Sequence, residues 1–211
     1  MTGMIIGPAA AIVSTAAFIR FKDTEEDDSK LNGRTLDIVA FIVYALLDVF
    51  TVVLMDRAGT GIFCIVNSVI LLNFLFLLAV IDIRHRSIPN RYILFMLVLR
   101  TAMIAVQGVI THSFVAVLMK SLLGLLTGVF LLGVIALVSK KGLGSGDVKM
   151  YGLTGYFFGA VAILDILIYS TLLCAVCGIA LIVLKKCTAK DFLPMAPFAF
   201  AGTMVYIWLS F

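Results

Sequence analysis

The chain has 211 residues, 63% of them hydrophobic and 13% charged, with a formal net charge of +4 and a mean hydropathy of +1.17. Soluble domains carry roughly 45–50% apolar and about 25% charged residues, so the composition excludes a soluble fold and points to an all-α, polytopic membrane protein. The sixteen Lys and Arg sit mostly in short loops between apolar runs; membrane topology explains that placement, and the bilayer rather than nucleic acid is the expected partner.

A helix that crosses a bilayer needs about 20 predominantly apolar residues. By that measure eight spans are expected, at about 4–20, 36–55, 61–81, 92–110, 114–138, 148–164, 166–184 and 193–211. The first lacks the basic start of a secretory signal peptide and reads as a retained span. Between spans one and two lies Lys22-Asp23-Thr24-Glu25-Glu26-Asp27-Asp28-Ser29-Lys30, a solvated acidic connector. No repeat, soluble domain or low-complexity linker interrupts the pattern, so residues 1–211 are expected to form one membrane domain.

The loops sort by charge. Arg20, Lys22, Lys30 and Arg34 follow span one; Arg84, Arg86 and Arg91 follow span three; Lys140, Lys141 and Lys149 follow span five; Lys185, Lys186 and Lys190 follow span seven. The alternate loops hold only Arg57. Basic loops stay in the cytoplasm, which places both termini outside and these four loops inside a cytoplasmic (inner) membrane.

Two acidic positions fall on that inner face. Asp82 closes span three ahead of Ile83-Arg84-His85-Arg86-Ser87-Ile88-Pro89-Asn90, and Asp147 opens span six within Gly142-Leu143-Gly144-Ser145-Gly146-Asp147-Val148-Lys149. Two crossings separate them, so the chain returns to the face it left. An aspartate at a helix start, taken alone, reads as a cap or a dipole partner. Two carboxylates at one membrane edge fit a shared proton, one acting as base on a water and the other as acid toward a carbonyl. Gly144 and Gly146 are expected to give the backbone freedom and to admit a substrate strand. Pro89 is expected to stop the helix and turn the segment away. Lys149 either biases the two acids or simply obeys the positive-inside rule.

Other polar residues take structural readings. Asp48 and Lys120 are expected to pair inside the membrane, and Arg100 to reach the cytoplasmic side or Asp37. Gly124 with Gly128 and Gly155 with Gly159 have the spacing of close helix packing. His112 reads as a turn residue and His85 as part of its basic loop. Cys174 and Cys177 form a C-x-x-C inside an apolar run without a second pair or a nearby histidine, so they read as packing residues and no metal site is expected.

Asp82 with Ile88-Pro89-Asn90, and Gly144-Ser145-Gly146-Asp147-Val148-Lys149, resemble the two catalytic motifs of the type IV prepilin peptidases, intramembrane aspartic proteases of the GxGD type. Leu193-Pro194-Met195-Ala196-Pro197-Phe198 is similar to that family's Pro-x-x-Pro-Phe segment. The resemblance covers about residues 60–211 and leaves the N-terminal spans and acidic loop, 1–59, outside it. It implies that Asp82 and Asp147 are the catalytic pair and that the substrate is a prepilin-like precursor, cut at its leader on the cytoplasmic face without a cofactor. Many bacterial relatives carry paired zinc-binding cysteines in the loop after the first span and also methylate the new N-terminus. Residues Phe21 to Thr35 contain no cysteine, which leaves zinc and N-methyltransferase activity unsupported. The competing readings are a transporter or channel with intramembrane carboxylates and a non-catalytic pilus assembly factor.

Overall fold

The computed structural model describes residues 30–85, 87–138, 144–185 and 193–211, with side chains from residue 41 onward. The expected first span and the acidic connector lie outside the described residues, as do Gly142, Leu143 and Cys187. All regular structure among the described residues is helical: α1 (Lys30–Arg57), α2 (Ile62–His85), α3 (Asn90–Ile110), α4 (Phe114–Val138), α5 (Ser145–Phe158), α6 (Ala160–Val183) and α7 (Ala196–Ser210). The protein is an all-α membrane protein. Four helices, α2, α3, α4 and α6, are long and apolar enough to cross a bilayer, and α7 is a shorter apolar helix.

The chain divides into two compact units, one of Met1–Leu77 with Ile207–Phe211 and one of Leu78–Tyr206. In the first, Tyr44 of α1 stacks on Phe76 of α2 with ring centroids 4.1 Å apart. Trp208 donates its indole N–H to Thr51 Oγ1 at 3.0 Å, and Thr51 donates in turn to the Leu47 carbonyl at 2.8 Å. That relay satisfies polar groups that would be costly to leave bare in an apolar interior. Asp48 is wholly buried in this unit, with the Asn73 side chain near its carboxyl group. Lys120, the partner expected for it, belongs to the other unit, where its methylene stem lies against Gly159.

The second unit is built on the contact of α4 with α5. A methyl group at Gly124 or at Gly155 would run into the other residue's backbone carbonyl, and one at Gly128 would stand 2.7 Å from the Tyr151 carbonyl oxygen. The two backbones therefore touch through a seam of glycines, as the small-residue spacing leads one to expect. Glycine also decides where α5 ends. Gly159 has φ +98°, in the region that side chains avoid, and it stops α5 at Phe158 before α6 begins at Ala160.

That break corrects the expected sixth and seventh spans, which divided near Asp165. Hydropathy runs on without a dip past Gly159, whereas the backbone turns there. Asp165 lies in the second turn of α6, half-buried. With 14 residues, α5 is about 21 Å long, short of the roughly 30 Å hydrocarbon thickness.

Arg100 answers the consequence. The helix end at Tyr156–Phe158 is buried, and its last carbonyls find no solvent. Gly159 N–H takes the Gly155 carbonyl at 2.7 Å. Arg100 donates from Nε to the Tyr156 carbonyl and from Nη2 to the Phe157 carbonyl, each at 3.4 Å, and to Ser121 Oγ at 3.2 Å. Its guanidinium also lies 5.3 Å from the Phe157 ring centroid. Its burial corrects the expectation that Arg100 reaches the cytoplasmic side, whereas the alternative partner, Asp37, has a side chain outside the described residues. A guanidinium at a buried helix C-terminus satisfies orphan carbonyls and the negative end of the dipole together.

Candidate active site

Three helix N-termini and one C-terminus meet around Asp82 and Asp147, all within the second unit. Asp82 lies one turn before the end of α2 and is buried, with 6% of its surface exposed. Its Oδ2 accepts the Ala196 backbone N–H at 3.1 Å. Ala196 is the first residue of α7, where N–H groups have no partner inside the helix. The neighbouring donors are accounted for: Pro197 has none, and the Phe198 and Ala199 N–H groups both bond the Met195 carbonyl. The Pro-Met-Ala-Pro segment thus turns a single backbone donor toward Asp82, a role that only its motif match had marked as interesting.

Asp147 stands in the first turn of α5, ahead of the apolar part of that helix and half-buried. The residue before the helix is Gly144, and no side chain caps it. Asp147 is not an N-cap, but its charge lies at the positive end of the helix dipole. Burial first, and the negative charge of Asp82 second, push its carboxyl up to about 6, while a hydrogen bond from the Gly144 backbone pulls the other way. Asp82 and Asp147 are therefore close enough to feel each other's charge. Opposite forces act on the same carboxyl: a dry surrounding and a like charge favour the proton, and the helix end favours the anion.

The glycines play a different part from the one expected. Gly144 has φ −72° and ψ 144°, an ordinary extended conformation, and Gly146 lies inside α5. Neither occupies a backbone region that requires glycine. Space is the reason instead. A methyl group on Gly144 would stand 3.2 Å from Asp147 Oδ2, and one on Gly146 would stand 3.0 Å from Ile88 Cβ. Gly144 keeps the approach to the carboxylate open, and Gly146 lets the link after α2 lie down on α5.

Pro89 immediately precedes α3 with φ −69° and ψ 126°. It ends the link from α2 in an extended residue, in keeping with its restricted ring. Lys149 is exposed, and its Nζ donates to Asn90 Oδ1 at 2.9 Å. Positions 147 and 149 are about 200° apart around a helix, so Asp147 and Lys149 leave α5 on different sides. Sequence reasoning passed over Asn90 as a participant; the signal available was its place directly after Ile88-Pro89.

One turn beyond Asp147, Tyr151 is fully buried and donates to Ser170 Oγ of α6 at 2.8 Å. Gly202 of α7 lies against the same serine, where a methyl group would come 2.7 Å from the Ser170 nitrogen. The floor beneath the two acids is thereby tied to α6 and α7. His85 closes α2 and is exposed, whereas His112 belongs to the exposed turn after α3 with φ 51°. Cys174 and Cys177 lie on α6, half-buried and exposed. Among the described residues, no three His, Cys, Asp or Glu side chains gather as a metal site.

A profile of the type IV leader peptidase family matches residues 69–179, more than half of the chain and a stretch that includes both aspartates. Among curated proteins, the chain is 30% identical over 138 residues to the "Prepilin leader peptidase/N-methyltransferase" of Bacillus subtilis, covering 65% of this chain and 53% of that protein. It is 27% identical over 186 residues to a protein of the same name from Xanthomonas campestris pv. campestris, covering 85% of this chain and 62% of that one. The chain spans between half and two thirds of the length of these relatives. No solved structure matches it.

Proposed function

Because the chain belongs to the type IV leader peptidase family, we propose that it is an intramembrane aspartic endopeptidase that removes the leader of prepilin-like precursors at the cytoplasmic face of the membrane. Asp82 and Asp147 are the catalytic pair. One carboxylate takes a proton from a water as the water attacks the scissile carbonyl, and the other, protonated, donates to the carbonyl oxygen. The gem-diol intermediate then collapses: the acid that took the water's proton passes it to the leaving nitrogen as the C–N bond breaks, and the other, now a carboxylate, takes a proton from a hydroxyl of the intermediate, which restores the pair. Such a division of labour needs one proton held between the two acids.

The observation that carries the reading is the placement of Asp147. Its carboxyl is raised to about 6 by burial and by Asp82, while Asp82 is itself held by the α7 N-terminus at 3.1 Å. The cytoplasmic orientation rests on the distribution of Lys and Arg between loops. Asp82→Asn and Asp147→Asn are each expected to abolish processing of a prepilin precursor while the protein still inserts in the membrane. Near-normal processing by either variant defeats the assignment.

A further inference from the structure

We propose that Asn90 and Lys149 form a clip that sets the distance between the two catalytic segments, so that both are positioning residues for the dyad; the inference rests on the dyad reading above. Asp82 lies eight residues before Asn90, across the end of α2 and the Ser87–Pro89 link. Asp147 lies two residues before Lys149 in the first turn of α5. The 2.9 Å bond from Lys149 Nζ to Asn90 Oδ1 therefore joins the strand of chain leaving one acid to the helix that carries the other. Ile88, seated on Gly146, makes the apolar half of the same contact. On the far side Asp82 is fixed by Ala196, which leaves the link between α2 and α3 as the connection that the clip secures.

Lys149 begins the second turn of α5, and Asn90 is the first residue of α3, directly after Pro89 at the cap position. No side chain caps α3, and the Asn90 oxygen faces Lys149. The contact takes over from the electrostatic role considered for Lys149 from sequence. The groups acting on the Asp147 carboxyl are its burial, Asp82 and the Gly144 backbone.

The test uses the full chain in lipid nanodiscs and a prepilin precursor as substrate, with kcat, KM and the pH profile measured. Lys149→Met and Asn90→Ala are each expected to lower kcat about five- to tenfold, the scale of one such hydrogen bond, with KM and the pH midpoints unchanged. The double variant should be no slower than either single one, since both remove the same bond. Asn90→Asp and Lys149→Arg, which keep an acceptor and a donor, should restore the rate. Additive losses, a shifted pH midpoint in Lys149→Met, or full activity in either truncated variant overturns the clip. Asp147→Asn serves as the reference: if it is inactive while the clip variants run at the unaltered rate, the clip alone fails. If Asp147→Asn still cleaves, the dyad reading fails and the clip with it.

Discussion

The two ends of α5 carry opposite charges in opposite settings. At the N-terminus Asp147 is half-buried, bordered by glycines and flanked by an exposed clip. At the C-terminus Arg100 is buried, with 4% of its surface exposed, and it donates to two backbone carbonyls and a serine. Each charge matches the sign of the dipole it meets. The difference lies in what is left over. Arg100 is spent on closing a helix that stops inside the protein, whereas Asp147 keeps a carboxylate beside open space and a second acid. One helix thus has an end closed by a buried guanidinium and an end that presents a carboxyl group near a second acid.

The largest expected effect separates the ends by readout. Asp147→Asn should reduce cleavage by about 10³-fold or more, with thermal stability close to that of the unaltered chain; a large stability loss would make Asp147 structural like Arg100. Next comes Arg100→Met, which strips donors from buried carbonyls and should cost about 2–3 kcal/mol of stability, read by thermal or denaturant unfolding in detergent. An unaltered unfolding midpoint would show that those carbonyls do not depend on Arg100. Between the two ends, Gly155→Ala forces a methyl group onto the Gly124 carbonyl. It should cost about 1–3 kcal/mol by overpacking, while Ala at the exposed, open Gly61 should be near neutral in the same assay.

The smallest effect is in pH. The Asp147 carboxyl is raised from 3.8 to about 6, so the folded chain binds that proton more tightly than the unfolded one. Its contribution to stability is present at low pH and is lost as pH rises from about 4 through about 6. Unfolding midpoints measured from pH 4 to pH 8 should decline across that window, and Asp147→Asn should remove that part of the decline. Cleavage should share an alkaline limb near 6, as the proton needed by the pair is lost. A limb that stays in place when only stability changes would detach the two.

Much of this arrangement was readable from local pattern. Apolar runs of spanning length marked α2, α3 and α4, and the alternation of basic loops led to the expectation that Asp82 and Asp147 share one face. The spacing of Gly124, Gly128 and Gly155 forecast a close helix contact for the same reason: on a helix, positions four apart share a face. Gly159 was read as one more packing residue because its neighbours on both sides are apolar, and hydropathy is blind to a backbone angle. The part Arg100 plays at the end of α5 was not legible because the acceptors there are main-chain carbonyls 56 and 57 residues away, and carbonyls carry no residue identity.

Amino-acid order by itself determined the class of protein, the position of its long spans and the two acids with their motifs. These depend on transfer of side chains from water and on helical periodicity, both properties of short stretches. Tertiary structure decided that α5 is a half-length helix closed by Arg100, that Ala196 N–H holds Asp82, and that Asn90 meets Lys149. Each of those rests on a backbone group or a single polar contact between distant segments, formed only once the glycine seams have brought the helices together.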